Sequence, residues 1–346
     1  MLNSKIKLLV LLLIFTLGKV ASVAQSAEVQ PGANQPGNTY TNPDFSARCV
    51  FWNVENLFDP RNDSLTQDDE FTPGGLRHWT WNRFRNKELL LYKTLIALGE
   101  GTPPAIVGLA EIENEYTVRF LSDSTPLSMA GYAILHQDSP DQRGIDVALL
   151  YRQDYFHLLT QDWLPVSDSA SSYQSRDILY AKGILPDNDT LHVFVNHWPS
   201  RYKGKKVSEP RRLNAAKVLA AKLAHITTLN SKARILIMGD FNDSPDDESL
   251  KMLSTTGQLK LRWLLKGKPS YKYQGIWYEY DQIISSAYLK VHQAEVFKAG
   301  WLLTEDKNHL GLKPYRTYLG YRYQGGASDH LPVYADLLPR KPGSTR

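Results

Sequence analysis

Five short strings place polar side chains at the end of an apolar run, in residue types suited to binding a cation and a phosphate. Phe51-Trp52-Asn53-Val54-Glu55-Asn56 offers the amide of Asn53. Ile106-Val107-Gly108-Leu109-Ala110-Glu111-Ile112-Glu113 ends its apolar run on Glu111. A carboxylate there has a desolvation cost that only a cation or a donor offsets, and an oxygen ligand suits a hard cation. Val195-Asn196-His197-Trp198-Pro199-Ser200-Arg201 supplies an imidazole able to donate to a phosphate oxygen. In Leu236-Ile237-Met238-Gly239-Asp240-Phe241-Asn242-Asp243, Asp240 and Asn242 are two apart and point to one side of an extended segment. An acid beside an amide can orient and activate a water. Ser328-Asp329-His330-Leu331-Pro332-Val333 joins a metal ligand to a phosphate-side donor. Taken singly, each has an ordinary alternative: a turn-forming Asn53, a salt-bridged Glu111, a structural His197.

Strand ends hold side chains rigidly at one rim of an α/β sheet, so these strings imply a scaffold of strands. Residues 49–54, 105–110, 132–135, 145–151, 191–196, 235–238 and 329–337 read as strands. Residues 81–98 have helical spacing in Phe84, Leu89, Leu91, Leu95 and Leu98. A second helix is predicted over 208–227, with Ser208 as N-cap, Pro210 in the first turn, and Leu213, Ala216, Ala220 and Leu223 on one face. Asp187-Asn188-Asp189 marks a hairpin. Hairpins mixed with strand–helix alternation favour an α/β sandwich with mixed sheets over a doubly wound sheet.

In this chain order, Asn, Glu, His, Asp-x-Asn and Asp-His resemble the endonuclease/exonuclease/phosphatase superfamily, the deoxyribonuclease I-like hydrolases, over about Cys49 to Leu337. Gly-Asp-Phe-Asn and Ser-Asp-His-Leu-Pro-Val are the most specific parts. The resemblance implies a four-layer α/β sandwich, two mixed β-sheets packed together and flanked by helices. It implies Mg²⁺, with Mn²⁺ or Ca²⁺ as alternatives, held by Glu111 with Asn53 and Asp329 nearby. Asp240 would prepare the attacking water with Asn242, His330 would contact the scissile phosphate, and His197 would sit near the leaving group. Asp281, in Tyr280-Asp281-Gln282-Ile283-Ile284, would support the histidine. Asn196 and Arg201 are the expected substrate-binding residues. The chemistry is coherent, since a divalent cation offsets the charge that makes phosphate esters resist attack. Zinc is disfavoured because no Cys or His cluster has its spacing. Asp146, in Arg143-Gly144-Ile145-Asp146, reads either as an acid supporting the site or as the partner of Arg143.

Lys5 and Lys7 precede an apolar run, Leu8 to Leu17, too short for a membrane span. Small residues around Ala24 complete an export signal over 1–24, with a linker over 25–45, a folded domain over 46–339 and a tail over 340–346. Cleavage removes three lysines and no acid, which takes the formal charge from +4 to +1. Net charge thus gives no argument for a nucleic-acid partner. The lone Cys49 cannot form an internal disulfide, and reads as a buried thiol. A basic cluster, Arg201, Lys203, Lys205, Lys206, Arg211 and Arg212, could track a phosphate backbone, with Trp198 and Tyr202 stacking on bases or simply packing. The resulting expectation is a monomeric, secreted or periplasmic nuclease or phosphodiesterase. A phosphomonoesterase or sphingomyelinase-like phospholipase is the alternative enzyme, with Gly275 to Tyr278 as a candidate apolar hairpin. An inert binding protein is the alternative class, against which every expected catalytic position is filled.

Overall fold

The computed structural model describes residues 46–167, 174–202, 204–254 and 259–339. The export signal, the linker, the tail and Lys203 lie outside them. The elements in chain order are β1 (Ala47–Leu57), α1 (Trp81–Leu98), β2 (Ile106–Ile112), α2 (Glu115–Asp123), β3 (Tyr132–His136), β4 (Asp146–Arg152), β5 (His157–Leu164), β6 (Ile178–Ile184), β7 (Thr190–His197), α3 (Lys205–Leu229), β8 (Arg234–Asp240), α4 (Glu248–Ser254), β9 (Leu261–Trp263), β10 (Tyr271–Tyr273), β11 (Ile276–Tyr278), β12 (Asp281–Ser286) and β13 (Val291–Val296). Two small hairpins follow, β14 (Leu303–Glu305) with β15 (Leu312–Pro314) and β16 (Tyr318–Leu319) with β17 (Arg322–Tyr323), before the last strand, β18 (Val333–Leu337).

Twelve strands form two six-stranded mixed sheets, in the orders β13-β18-β1-β2-β4-β3 and β5-β6-β7-β8-β12-β9. β1 runs parallel to β2, β7 runs parallel to β8, and the remaining ladders are antiparallel. Period-two alternation decides which side chains meet between the sheets. Cys49, Phe51, Ile106, Leu149, Val193, Val195, Leu236, Met238, Ile283 and Ala335 form the central core. Val50, Trp52, Val107 and Leu109 face the opposite way, against Phe84, Leu91 and Leu95 of α1 and Val118 and Leu121 of α2. Phe194, Ile235 and Ile237 do the same against Ala216, Leu219 and Leu223 of α3 and Leu250 of α4. The result is the expected sandwich of four layers. Gly108 faces the second sheet so closely that a Cβ there would stand 3.0 Å from the Met238 sulfur and 3.2 Å from Val195. Cys49 is fully buried, as expected.

Two local expectations need correction. Ser208 is not an N-cap: α3 starts at Lys205, with Gly204 at its cap, and Pro210 lies inside the helix. Side chains tie the first turn down through its carbonyls, since Ser208 Oγ donates to Gly204 O and Arg212 Nη2 donates to Lys205 O. The last strand begins at Val333, so Asp329 and His330 stand before it rather than in it. The 187–189 turn does join β6 to β7, with Asn188 left-handed at φ 58°.

Candidate active site

Parallel strands contribute their C-terminal ends and antiparallel strands their N-terminal ends, so the five strings meet at one rim. Register places His197 opposite Asp240 and Asp240 opposite Asp281. Asn53 of β1 pairs with Ala110, and both β1 and β2 then break register at a bulge. Glu55, Asn56 and Glu111 adopt positive φ there (51°, 52° and 65°), as does Asn242 (50°). For side chains with a Cβ this conformation is costly, and it re-aims Glu111 out of the strand's regular alternation.

Asp240 is at the centre. Its Oδ2 accepts from Asn53 Nδ2 at 3.0 Å and lies 3.8 Å from both His197 Nε2 and His330 Nε2. Its Oδ1 accepts from the Asn242 backbone N–H at 2.9 Å. Asn53 Nδ2 also reaches Glu111 Oε1 at 3.3 Å, and Asn56 N–H donates to Glu111 Oε2 at 2.8 Å. His197 Nε2 stands 3.9 Å from Glu111 Oε1. His330 Nδ1 meets Asp281 Oδ2 at 2.8 Å, and Ser270 Oγ donates to the same carboxylate. The Tyr271 ring stacks on the His330 ring at 4.5 Å, continuing through Tyr280 to Tyr278. Asp329 is ion-paired to Arg316 at 3.0 Å. Arg316 also holds Glu55, whose carboxylate accepts from Thr317 N–H at 2.6 Å.

These surroundings divide the two imidazoles. Burial pulls His330 down, but Asp281 and Asp240 outweigh it and carry the group up to about 10. Burial drives His197 well below its usual value, with Arg176, Arg143 and His330 adding to the effect. Near neutral pH one imidazole is therefore a cation and the other is neutral. Burial lifts Asp240 to about 6, against the pull of His330 and helped by Asp281. Glu55 is pushed up to about 7, chiefly by burial and by Asp329.

The structure brings Asn53, Glu111, His197, Asp240, Asp281 and His330 together, while Asn242 reaches Asp240 only through its backbone N–H, its side chain donating to Trp198 O at 3.1 Å, and Asp329 is held by Arg316. Two members of the set stand elsewhere. Asn196 is fully buried, donating to Met238 O and accepting from Trp198 Nε1, so the expectation that it binds substrate is corrected. It points to the opposite side of β7 from His197 and packs where Gly239 lacks a Cβ. Arg201 is turned inward to Asp243 at 2.8 Å, Asp247 at 2.6 Å and Asn242 O at 2.7 Å, and braces the loop after β8 instead of offering itself to a ligand. Lys205 pairs with Asp247, and Arg212 with Asp243 at 2.7 Å, so these members of the basic cluster, like Arg201, are neutralised within the fold. Trp198 is buried edge-on against Phe241 and is not available to stack on a base. Arg143 approaches Asp141 rather than Asp146.

A metal fits the donor set, which is rich in carboxylate oxygen. At this rim Asp240, Asp281 and His330 bring ligand atoms within 4.8 Å of one another. Asp281 and His330 already bond to each other, whereas Glu111 has only N–H donors around its carboxylate and stays 16% exposed. Glu111 is thus the better anchor for a hard cation. Asn53 turns its nitrogen toward the two carboxylates; its oxygen, accepting from Glu55 N–H, would face a cation only after an amide flip. Sequence reasoning missed Ser270, Tyr271 and the Glu55–Arg316 brace. Glu55 sits two residues from Asn53 and was open to notice, but a serine and a tyrosine in a Tyr-rich stretch carry no chemical signature of their own.

The sequence matches the model of the Endonuclease/Exonuclease/phosphatase family over residues 48–338. No curated protein sequence matches it. Several solved structures are similar in fold. The human Nocturnin catalytic domain with bound sulfate is 18% identical, with a TM-score of 0.55 over 86% of this chain and 96% of that one. The endonuclease/exonuclease/phosphatase from Bacteroides vulgatus is 16% identical, TM-score 0.55, covering 86% and 100%. The mannosyl-6-phosphatase Bt3783 of Bacteroides thetaiotaomicron is 16% identical, TM-score 0.54, covering 84% and 99%. With the family model spanning nearly all of the described residues, this chain belongs to the endonuclease/exonuclease/phosphatase family, hydrolases of phosphate esters.

Proposed function

We propose that the protein is an exported, Mg²⁺-dependent hydrolase that attacks a phosphate ester with water at the Asp240 rim. The observation that carries this reading is one buried carboxylate, Asp240, facing two imidazoles of opposite protonation at 3.8 Å each. Glu111, with Asn53 beside it at 3.3 Å and Asp329 as a further carboxylate, would hold the cation, with Mn²⁺ or Ca²⁺ as substitutes. When bound, the cation neutralises phosphate charge. Asp240, raised to about 6, orients the attacking water and accepts its proton. Asn242 fixes Asp240 through its backbone N–H. His330, charged and anchored on Asp281, donates from Nε2 to a phosphoryl oxygen and stabilises charge as it develops. His197, neutral, lies near the leaving group.

The inward pairing of Arg201, Lys205 and Arg212 supports a substrate other than a long phosphate backbone, which such a basic cluster would otherwise track. A small phosphate ester is the favoured substrate, in keeping with the mannosyl-6-phosphatase similar in fold. A nuclease or phosphodiesterase is the second reading, favoured by the string Asn196-His197-Trp198-Pro199-Ser200-Arg201, which resembles exported nuclease-like members. Hydrolysis is to be measured with Mg²⁺ on sugar phosphates, aryl mono- and diesters, DNA, RNA and a sphingolipid. Turnover of monoesters alone supports the first reading, and cleavage of DNA or RNA the second. Absence of turnover on the whole panel by metal-loaded protein would sink the enzymatic reading. Export rests on the sequence of residues 1–24, and N-terminal sequencing of fractionated protein tests it: a start after Ala24 is expected, and an intact Met1 would refute it.

A further inference from the structure

A second set of ligating groups lies where β3 hands over to β4, apart from the rim just described. His136 ends β3, Asp146 opens β4 and Asp138 lies in the connection, each bringing one ligand atom within 4.8 Å of the others. The side chains of His136 and Asp146 are only 2% and 3% exposed. Nε2 of His136 is buried with no hydrogen-bond partner, and it faces Asp146 Oδ2 at 3.9 Å, beyond hydrogen-bond reach. Asp146 Oδ1 is already fixed by the Ser139 N–H at 3.1 Å, which leaves Oδ2 turned to the ring. Burial pushes Asp146 up to about 7 and His136 down, so neither charge is compensated by the other. Coordination bonds of about 2.0–2.2 Å to nitrogen and to oxygen would span this gap at a wide angle.

We propose that His136 Nε2 and Asp146 Oδ2 bind a first-row transition-metal ion of the Zn²⁺ class, with Asp138 swinging in as a third ligand. Asp138 is 83% exposed, and its Oδ1 stands 3.8 Å from Nδ1 of the same ring, so it would have to swing round the ring edge to reach an ion at Nε2. The mixture of imidazole and carboxylate suits this class of ion better than Mg²⁺, which takes oxygen. Glu115, at the start of α2, adds a negative charge that acts on His136. The ion would close the connection over 137–145. Asp141 in that segment accepts from Arg176 Nη1 at 2.9 Å, and Arg176 Nη2 donates to Trp198 O at 2.9 Å, one residue from His197. The site is therefore a clamp on the wall beside His197, and it does not depend on the phosphoesterase reading.

The test titrates metal-stripped, full-length protein with ZnCl₂ by calorimetry while saturating Mg²⁺ is present. A zinc event is expected that persists in Glu111→Gln and weakens by about tenfold to a hundredfold or more in His136→Gln and in Asp146→Asn. Zinc-edge anomalous diffraction from wild-type crystals grown with ZnCl₂ should place a peak beside His136 Nε2. Zinc binding lost in Glu111→Gln but intact in His136→Gln would overturn the proposal, as would a wild-type map with no peak at His136. The anomalous map decides alone if either variant fails to fold.

Discussion

On the proposed mechanism, Asp240 and His330 set the pH range of hydrolysis. Asp240 must be ionised to accept a proton, so kcat/KM should rise as pH passes about 6. His330 must be charged to donate, so kcat/KM should fall as pH passes about 10. A plateau between these limits is expected at constant metal occupancy. Asp240→Asn should lose about 10²–10⁴ in kcat with KM little changed, and the residual rate should lack the acid limb. A normal acid limb in that variant would take the role away from Asp240. Tyr271 is a positioning residue by a different route. The tyrosine faces are used by one another and by His330, so the stack is a brace for the imidazole rather than a surface for substrate. Tyr271→Ala should lower kcat by about tenfold with KM unchanged, a modest loss in line with a stacking contact of about 1 kcal/mol. Tyr271→Phe should restore most of it, and an equal loss in both variants would mean that the hydroxyl, not the ring, matters. These side-chain roles were unevenly legible in the sequence. Motif residues announce themselves by pairing rare polar types with apolar runs, whereas Ser270 and Tyr271 act only through a fold that returns β10 to His330.

The strands were legible where period-two apolar runs were long and flanked by site residues. β1, β2, β7 and β8 run two to five residues beyond the predicted spans, because the residues added at their ends are mostly polar and interrupt the apolar period. β5 escaped notice because its residues are largely exposed, and β9–β11 because three-residue ladders leave no period to read. α1 was predicted to the residue by its apolar stripe, but α3 begins earlier than its first apolar residue, since Arg212 rather than a cap anchors it. That anchor gives a stability test. Arg212 is fully buried and pairs with the equally buried Asp243, which also accepts from Ser249 Oγ at 2.6 Å. Arg212→Met should cost about 1–3 kcal/mol, since Asp243 keeps Arg201 at 2.8 Å but loses its fully buried partner. Urea unfolding measures it, and a cost below about 1 kcal/mol would mean that water reaches Asp243 in the variant.

The core between the sheets is made of apolar side chains, so the fold should outlive removal of the proposed cation. Treatment with EDTA is expected to abolish hydrolysis while the far-UV circular dichroism stays native. Unfolding on chelation would mean that an ion is part of the framework rather than of the rim. The two-sheet architecture was inferable from mixed hairpins and helices, but its spacing was not. Gly108 sits on β2 as one small residue among large ones, and only the second sheet explains why nothing larger fits.

The four left-handed residues at the rim tie durability to turnover. Each of Glu55, Asn56, Glu111 and Asn242 holds a conformation that glycine adopts without penalty, so the chain gives up folding free energy at the place where the ester would be cleaved. Under selection for heat resistance alone, glycine should be recruited here. At Asn56, whose own contact with Glu111 runs through its backbone N–H, the exchange should raise Tm by a few degrees with modest loss of rate, a gain of about 1 kcal/mol. At Glu111 the same gain should come with a dead enzyme. A lineage of this protein moving to hotter surroundings would thus be expected to soften Asn56 first and leave Glu111 untouched.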